Sequence, residues 1–148
     1  MKQTRTLLCK RLLLGAVSLL LLLSMVSCVL NYSDTIRYYR DKDNYITATS
    51  TVDFINYTDY GWLYISFDEK PEGVRDDCFF IAGKNLDIML ERGIREKLQM
   101  GSEVTITYAP KIFGDGYVVP IAAITVDGEE LLSFEEGYPN LIEWLKKN

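Results

Sequence analysis

The chain contains no histidine among its 148 residues. Without histidine, neither a Ser-His-Asp nor a Cys-His catalytic arrangement can be built, and the commonest zinc ligand is missing. Cysteine is also scarce. Cys9 and Cys28 lie before and near the end of an N-terminal apolar run, so Cys78 stands alone in the remaining sequence. We expect it to be buried and unreactive, because cysteines outside disulfides usually pack as small hydrophobic groups.

Basic residues are few outside the N-terminus. Four of the 16 cations precede residue 28, which leaves 12 lysines and arginines against all 21 acids in residues 28–148. Nucleic acids are bound mainly by neutralising their phosphates with lysine and arginine. An acidic domain repels such a ligand, and it repels an anionic lipid surface as well. Nucleic acid is therefore excluded as a partner.

Sequence motifs of catalysis are missing too. No glycine-rich phosphate loop of the strand–loop–helix type is present. Adjacent acidic residues on a strand point to opposite faces, so a hydrolase that used carboxylates alone would need acids from distant parts of the chain. We predict a non-enzymatic protein without a metal or cofactor, and we keep a carboxylate-only hydrolase as the third alternative.

The first 27 residues have the layout of an export signal. Four cations and no acid precede an uncharged, leucine-rich run from Leu12 to Leu30. A basic start followed by an apolar run directs the rest of the chain across a membrane. We expect residues 1–27 to be a signal peptide or membrane anchor, and the remaining chain to lie on the extracytoplasmic side of the cell membrane.

The end of this run, Met25-Val26-Ser27-Cys28, resembles the lipobox of bacterial lipoproteins. The resemblance implies that Cys28 is lipidated and becomes the mature N-terminus, where acyl chains gain about 0.8 kcal/mol per buried CH₂. One alternative is an uncleaved helix over residues 12–30, about 28 Å long, which barely spans a hydrocarbon core. The other is plain secretion after cleavage. Lipidation, an uncleaved helix and secretion all place the rest of the chain on the extracytoplasmic side.

Residues 28–45 are predicted to be a polar tether, and five β-strands are predicted after it. Alternating apolar and polar residues, rich in threonine and valine, indicate strands with one buried face. In the first strand this pattern puts Val52 and Phe54 on the same face. The predicted strands cover residues 46–54, 62–67, 78–82, 103–108 and 117–126. Gly114-Asp115-Gly116 is the predicted turn before the last of them.

Helical periodicity appears twice after the third strand. Asn85 is predicted to cap a helix that Gly93 ends in a left-handed conformation, and Ile94 and Leu98 indicate a further short turn. Pro139 is predicted to occupy the first turn of a C-terminal amphipathic helix.

The order strand, strand, strand, helix, strand, strand resembles the OB-fold, a small five-stranded barrel. We therefore predict a mainly β (α+β) domain over residues 46–148, with a barrel, a helix between strands 3 and 4, and a C-terminal helix. The alternative is another small α+β sheet with one helix packed across it. The resemblance covers about residues 46–126 and rests on the order of elements.

The OB-fold resemblance implies a ligand surface on strands 2 and 3 and on the loops between strands 1–2 and 4–5. Those two loops contain five aromatic residues: Tyr57, Tyr60, Trp62, Phe113 and Tyr117. Aromatic side chains offer a flat apolar face, and tyrosine and tryptophan add a polar edge. We predict that the five form a ligand patch for an envelope protein, a peptide or a glycan. The alternative is that they plug the barrel ends as core.

These expectations together describe a membrane-anchored extracytoplasmic lipoprotein that acts as a binding or interaction module of the cell envelope. The alternative function is an inhibitor-like or envelope-stress protein that blocks another protein by docking a loop.

The lipid anchor is testable through the three cysteines. Metabolic labelling with an alkyne fatty acid is expected to label the wild-type chain and to fail completely for Cys28→Ser, because only a thiol at that position accepts the lipid. Cys9→Ser and Cys78→Ser are the matched controls and are expected to keep the label. An unlabelled wild-type chain would contradict the lipoprotein prediction.

Overall fold

The computed structural model describes residues 15, 17–22, 24, 33–72, 74, 78–113 and 118–148. The chain divides into two compact units, Met1–Arg37 and Tyr38–Asn148. In the first unit every described residue is helical. Across the described ranges, no helix is both long enough and apolar enough to cross a membrane. The lipobox-like residues Met25-Val26-Ser27-Cys28 lie outside the described residues.

Five strands of the second unit close into a barrel. They are β1 (Ile46–Tyr57), β2 (Trp62–Phe67), β3 (Phe79–Ala82), β4 (Glu103–Tyr108) and β5 (Val119–Val126). Their order is β3-β2-β1-β4-β5, and a parallel pairing between β3 and β5 closes the sheet. A further strand, β6 (Glu129–Leu132), pairs antiparallel with β5. The predicted small OB-like barrel is confirmed, and β6 is an addition to it.

Helices lie before, within and after the strands. Residues 33–40 form α1, and a 3₁₀ turn follows at Lys42–Asn44. Between β3 and β4 lie α2 (Lys84–Glu91) and α3 (Ile94–Lys97). The chain ends with α4 (Phe134–Leu145). The helix between the third and fourth strands therefore has the place in the chain that the predicted OB-like order requires.

The predicted start of α2 is wrong by a small but informative margin. The helix begins at Lys84 after Gly83, and no side chain caps it. Asn85, the predicted cap, is a buried residue inside the helix whose side-chain amide donates to the Gly137 carbonyl over 2.9 Å. The predicted end is confirmed, because Gly93 has the left-handed φ of 77° that glycine adopts without strain.

The start of α4 also differs from the prediction. The Ser133 side chain accepts a hydrogen bond from the Glu136 amide, and the helix begins at Phe134. Serine followed three residues later by glutamate is the spacing of a capping box, so a local signal for this start was present. Pro139 lies inside the helix instead of in its first turn.

A β-bulge reverses the inward face of β1 halfway along the strand. Val52 pairs with Phe67 but Phe54 pairs with Ser66, so Asp53 is an extra residue. One inserted residue turns every later side chain to the opposite face. Phe54 is consequently 52% exposed although Val52 is 1% exposed, and the expectation that they share a buried face is wrong.

Aliphatic side chains fill the barrel interior. Alternate residues of the strands point inward. Three helical residues complete the core: Leu86 and Met89 of α2 and Ile94 of α3. Burying one such side chain fully stabilises the fold by roughly 1.5–3 kcal/mol. The most buried members include Leu63, Ile65, Phe79, Ile81, Met89, Ile94, Val104, Ile106, Val119 and Leu132.

The C-terminal helix α4 packs closely against the outside of β5. Gly137 is buried, and a Cβ atom added there would lie 1.9 Å from the Ala122 carbonyl oxygen. The neighbouring Glu136 forms a two-bond ion pair with Arg92, with N–O distances of 2.8 and 3.0 Å. Arg92 also donates to the Leu131 carbonyl over 2.9 Å. A residue without a side chain is therefore required where helix and strand meet.

Residues 38–45, which the tether prediction placed outside the domain, belong to the second compact unit. Tyr39 is fully buried, and its hydroxyl donates to the Lys111 carbonyl. The Tyr45 hydroxyl donates to the Tyr39 carbonyl over 2.9 Å, and its ring contacts Phe134. Burial raises the pKa of both hydroxyls, so they remain protonated donors at neutral pH.

Replacing Gly137 tests the contact between α4 and β5. Gly137→Ala is expected to lower the free energy of unfolding by about 1–3 kcal/mol, because the new methyl group collides with backbone that has little room to shift. Urea unfolding followed by circular dichroism measures the change. Glu135→Ala, on an exposed turn of the same helix, is the control, with an expected loss below about 1 kcal/mol. Equal midpoints for Gly137→Ala and wild type would contradict the close approach.

Candidate functional site

The predicted ligand patch is divided in the structure. Trp62 and Phe113 both contact Trp144, with ring centroids 5.7 and 5.5 Å from it. Tyr60 lies in the turn between β1 and β2, where it is 91% exposed; within the described part of the chain its ring contacts neither Trp62 nor Phe113. Tyr117 lies outside the described residues.

Tyr57 belongs to the barrel rather than to an outer surface. It follows the β1 bulge and packs against the main core. The guanidinium carbon of Arg95 lies 4.4 Å from the centre of its ring. Its hydroxyl oxygen is buried and has no hydrogen-bond partner within the described part of the chain, and burial raises its pKa. For this residue the structure agrees with the alternative that the aromatic side chains are core.

The outer face of β2 and β3 carries aromatic residues. Along β2, Leu63, Ile65 and Phe67 are buried while Trp62 and Tyr64 are half-buried. The pairing register puts Tyr64 beside Phe80 of β3. Because side chains alternate across a strand, Trp62, Tyr64 and Phe80 project from the outside of the barrel. This is the face on which OB barrels bind ligands.

Trp144 of α4 completes this group. Its ring centroid lies 5.3 Å from that of Phe80, and Trp62 stacks on Phe80 with centroids 5.4 Å apart. A Cβ atom at Gly83 would lie 2.7 Å from Trp144 Cδ1, so glycine provides the space for the indole. We call Trp62, Tyr64, Phe80, Phe113 and Trp144 the outer aromatic cluster.

The outer aromatic cluster is only partly covered. Phe80 lies at the base of the cluster and is 1% exposed, whereas the other four members of the cluster are half-buried. Phe54 lies on the same outer face, where it pairs with Ser66 and is 52% exposed. Contiguous exposed apolar surface on a soluble domain commonly marks an interaction site.

The loop between β4 and β5 is held next to the outer aromatic cluster. Phe113 lies 6.4 Å from Tyr39 between ring centroids, and its amide donates to the Val118 carbonyl over 2.9 Å. Lys111 Nζ lies 5.0 Å from the centre of the Tyr38 ring. Contacts from residues 38 and 39 thus position the part of the loop that reaches the cluster.

A shallow depression of about 280 Å³ lies beside Trp144, lined by Gly83, Lys84, Asn140, Glu143, Trp144 and Lys147. Lys147 donates to Glu143 over 2.7 Å. This hydrogen bond, together with the charges of Lys147, Lys84 and Lys146, lowers the pKa of Glu143. The carboxylate is therefore ionised at neutral pH and can only accept hydrogen bonds.

Three members of the outer aromatic cluster were not predicted from the sequence: Tyr64, Phe80 and Trp144. A signal for Tyr64 existed, because β2 is apolar on both faces, and a strand with one solvated face should alternate with polar residues. Trp144 is part of the apolar pattern of the C-terminal amphipathic helix, and nothing in that pattern sets it apart. Only the packing of α4 brings it to the barrel face.

The described residues offer neither a metal site nor a buried acid for catalysis. Among them, no three Cys, Asp or Glu side chains form a group that could hold a metal ion. Cys78, expected to be buried, is half-buried at the edge of the outer aromatic cluster. A second depression of about 360 Å³ is lined by Thr49, Ser50, Thr51, Asp68, Glu69 and Glu103. Its three acidic residues are all exposed, whereas a catalytic carboxylic acid usually needs burial.

No protein-family model, curated protein or solved structure matches this chain.

The core position of Tyr57 gives a stability prediction. Tyr57→Phe is expected to raise the free energy of unfolding by about 1 kcal/mol, because it removes a buried hydroxyl that has no partner. Tyr108→Phe is the matched control and is expected to lower it by about 1 kcal/mol, since the Tyr108 hydroxyl donates to the Glu72 carbonyl over 2.7 Å. Urea unfolding measures both. Destabilisation by Tyr57→Phe would show that this hydroxyl is bonded.

Proposed function

We propose that this chain is an extracytoplasmic lipoprotein, anchored through Cys28, whose barrel is a binding module of the cell envelope. The observation that carries the proposal is the outer aromatic cluster on the outside of β2 and β3, four of whose five members are only half-buried. An aromatic surface of this kind supplies large contact area at low conformational cost. No enzymatic step is part of the proposal.

The anchor follows from the sequence. The basic start, the uncharged run and the lipobox-like Met25-Val26-Ser27-Cys28 agree with one another. A lipid at Cys28 would hold an acidic domain at a surface that its own charge does not attract. The ligand is accordingly an envelope component within reach of the membrane.

Exposure of the cluster favours binding over a purely structural role. Aromatic side chains that only stabilise a fold are normally covered, as Phe79 and Tyr108 are in the barrel interior. Trp62, Tyr64 and Trp144 keep part of their surface in water. Tryptophan and tyrosine are also the residues most enriched among those that dominate binding energies.

One observation favours the second candidate function, an inhibitor-like protein that docks a loop. Tyr60 projects from the turn between β1 and β2 and is 91% exposed. A single aromatic residue on a tight turn can insert into a pocket of another protein. This candidate uses the turn instead of the outer aromatic cluster.

Site-specific photocrosslinking distinguishes the two candidates. A benzophenone amino acid is placed at Phe54, at Tyr60 or at the 73% exposed control Met100 in full-length chains expressed in cells. Adducts from position 54 are expected in intact cells. Trp62→Ala and Tyr64→Ala, each checked for a native circular dichroism spectrum, should weaken capture roughly thirty-fold if either residue supplies about 2 kcal/mol of binding.

Adducts from position 60 alone would favour the loop-docking candidate. Equal labelling at positions 54 and 100, insensitive to Trp62→Ala, would contradict a ligand surface on this face.

A further inference from the structure

The depression beside Trp144 points to a ligand class, and the inference rests on the binding function proposed above. We propose that the outer aromatic cluster binds a carbohydrate chain and that one sugar ring lies in this depression, with a ring face on Trp144 and its hydroxyl groups on Glu143 and Lys84.

Both hydrogen-bond donors and hydrogen-bond acceptors surround the indole of Trp144. A sugar hydroxyl both donates and accepts, so a site that holds a sugar ring needs acceptors and donors next to an apolar face. Glu143 supplies acceptors, and Lys84 and Lys147 supply donors. Asn140 carries both kinds of group, and it donates to Asn85 Oδ1 over 3.1 Å, which fixes its orientation.

The size of the depression and its continuity with the cluster agree with a chain of sugar rings. At about 280 Å³, the depression is slightly smaller than most ligand sites, which span roughly 300–1,000 Å³, so it suits one ring at a time. The aromatic surface continues from Trp144 to Trp62 over 5.7 Å and from Trp62 to Tyr64 over 5.8 Å. A chain of sugar rings can therefore follow the cluster from the depression across β2.

An extended peptide is the competing ligand, and the strand pairing disfavours it. Peptides commonly bind a sheet by pairing with a free strand edge. β2 pairs with both β1 and β3, and β3 pairs with both β2 and β5. The backbone N–H and C=O groups of the strands beneath the cluster are thus largely paired within the sheet. This favours a ligand that is recognised by side chains, through stacking and hydroxyl contacts.

Intrinsic fluorescence reports on this site directly, because the chain has two tryptophans, Trp62 and Trp144, and both belong to the outer aromatic cluster. Full-length protein in detergent is titrated with three uncharged sugars, cellotetraose, chitotetraose and maltotetraose. At least one tetrasaccharide is expected to change the fluorescence saturably. Glu143→Ala should weaken that binding roughly ten-fold, as expected for a hydrogen bond to a charged group.

Glu91→Ala, an exposed glutamate at the end of α2, is the matched control and should leave the affinity unchanged. Absence of saturable binding to all three tetrasaccharides, or equal binding by Glu143→Ala, would overturn the carbohydrate assignment. If position 54 still gives Trp62-dependent photoadducts, the binding function survives that failure. If those adducts are also missing, both proposals fall.

Discussion

Two strands that are distant in the sequence, β3 and β5, lie side by side in parallel, and the barrel depends on that pairing. Phe79 pairs with Val119 and Phe80 with Pro120, and the Val119 amide donates to the Cys78 carbonyl over 3.0 Å. Closure requires β1 to bend, and its bulge allows the single strand to pair with β4 along its first half and with β2 along its second. Closure also gives β2 and β3 neighbours on both sides. A ligand on the outer face of β2 and β3 would then contact side chains, because neither strand has a free edge.

The helix α4 links the stability of the domain to its candidate site. Gly137 brings the helix against β5, and Gly83 leaves space for Trp144 at the other contact. Trp144 then meets Trp62 and Phe80, and each aromatic pair of this kind contributes about 0.5–1.5 kcal/mol beyond its buried area. Rings that are fixed by such contacts lose little side-chain entropy when a ligand binds. The same packing that holds α4 in place therefore prepares the surface on which we propose binding.

The residues just before β1 also support the candidate site. Tyr39 holds the start of the β4–β5 loop through the Lys111 carbonyl, and its ring contacts Phe113. In an OB-like barrel this loop borders the ligand face. Tyr39 is therefore packed beside Phe113, at the edge of the outer aromatic cluster.

The sequence alone determined the element order, and with it the OB-like barrel, because strand alternation and helical periodicity are local patterns. It also excludes histidine chemistry and contains a capping signal at Ser133 that marks the start of α4. Its basic start and apolar run predict an export signal over residues 1–27. Tertiary structure decided the rest. The bulge at Asp53 depends on the registry of β1 against β2, so the exposure of Phe54 could not be read from alternation. The position of Trp144 on the barrel face depends on the packing of α4 against β5. That packing joins distant segments of the chain, so no local pattern encodes it.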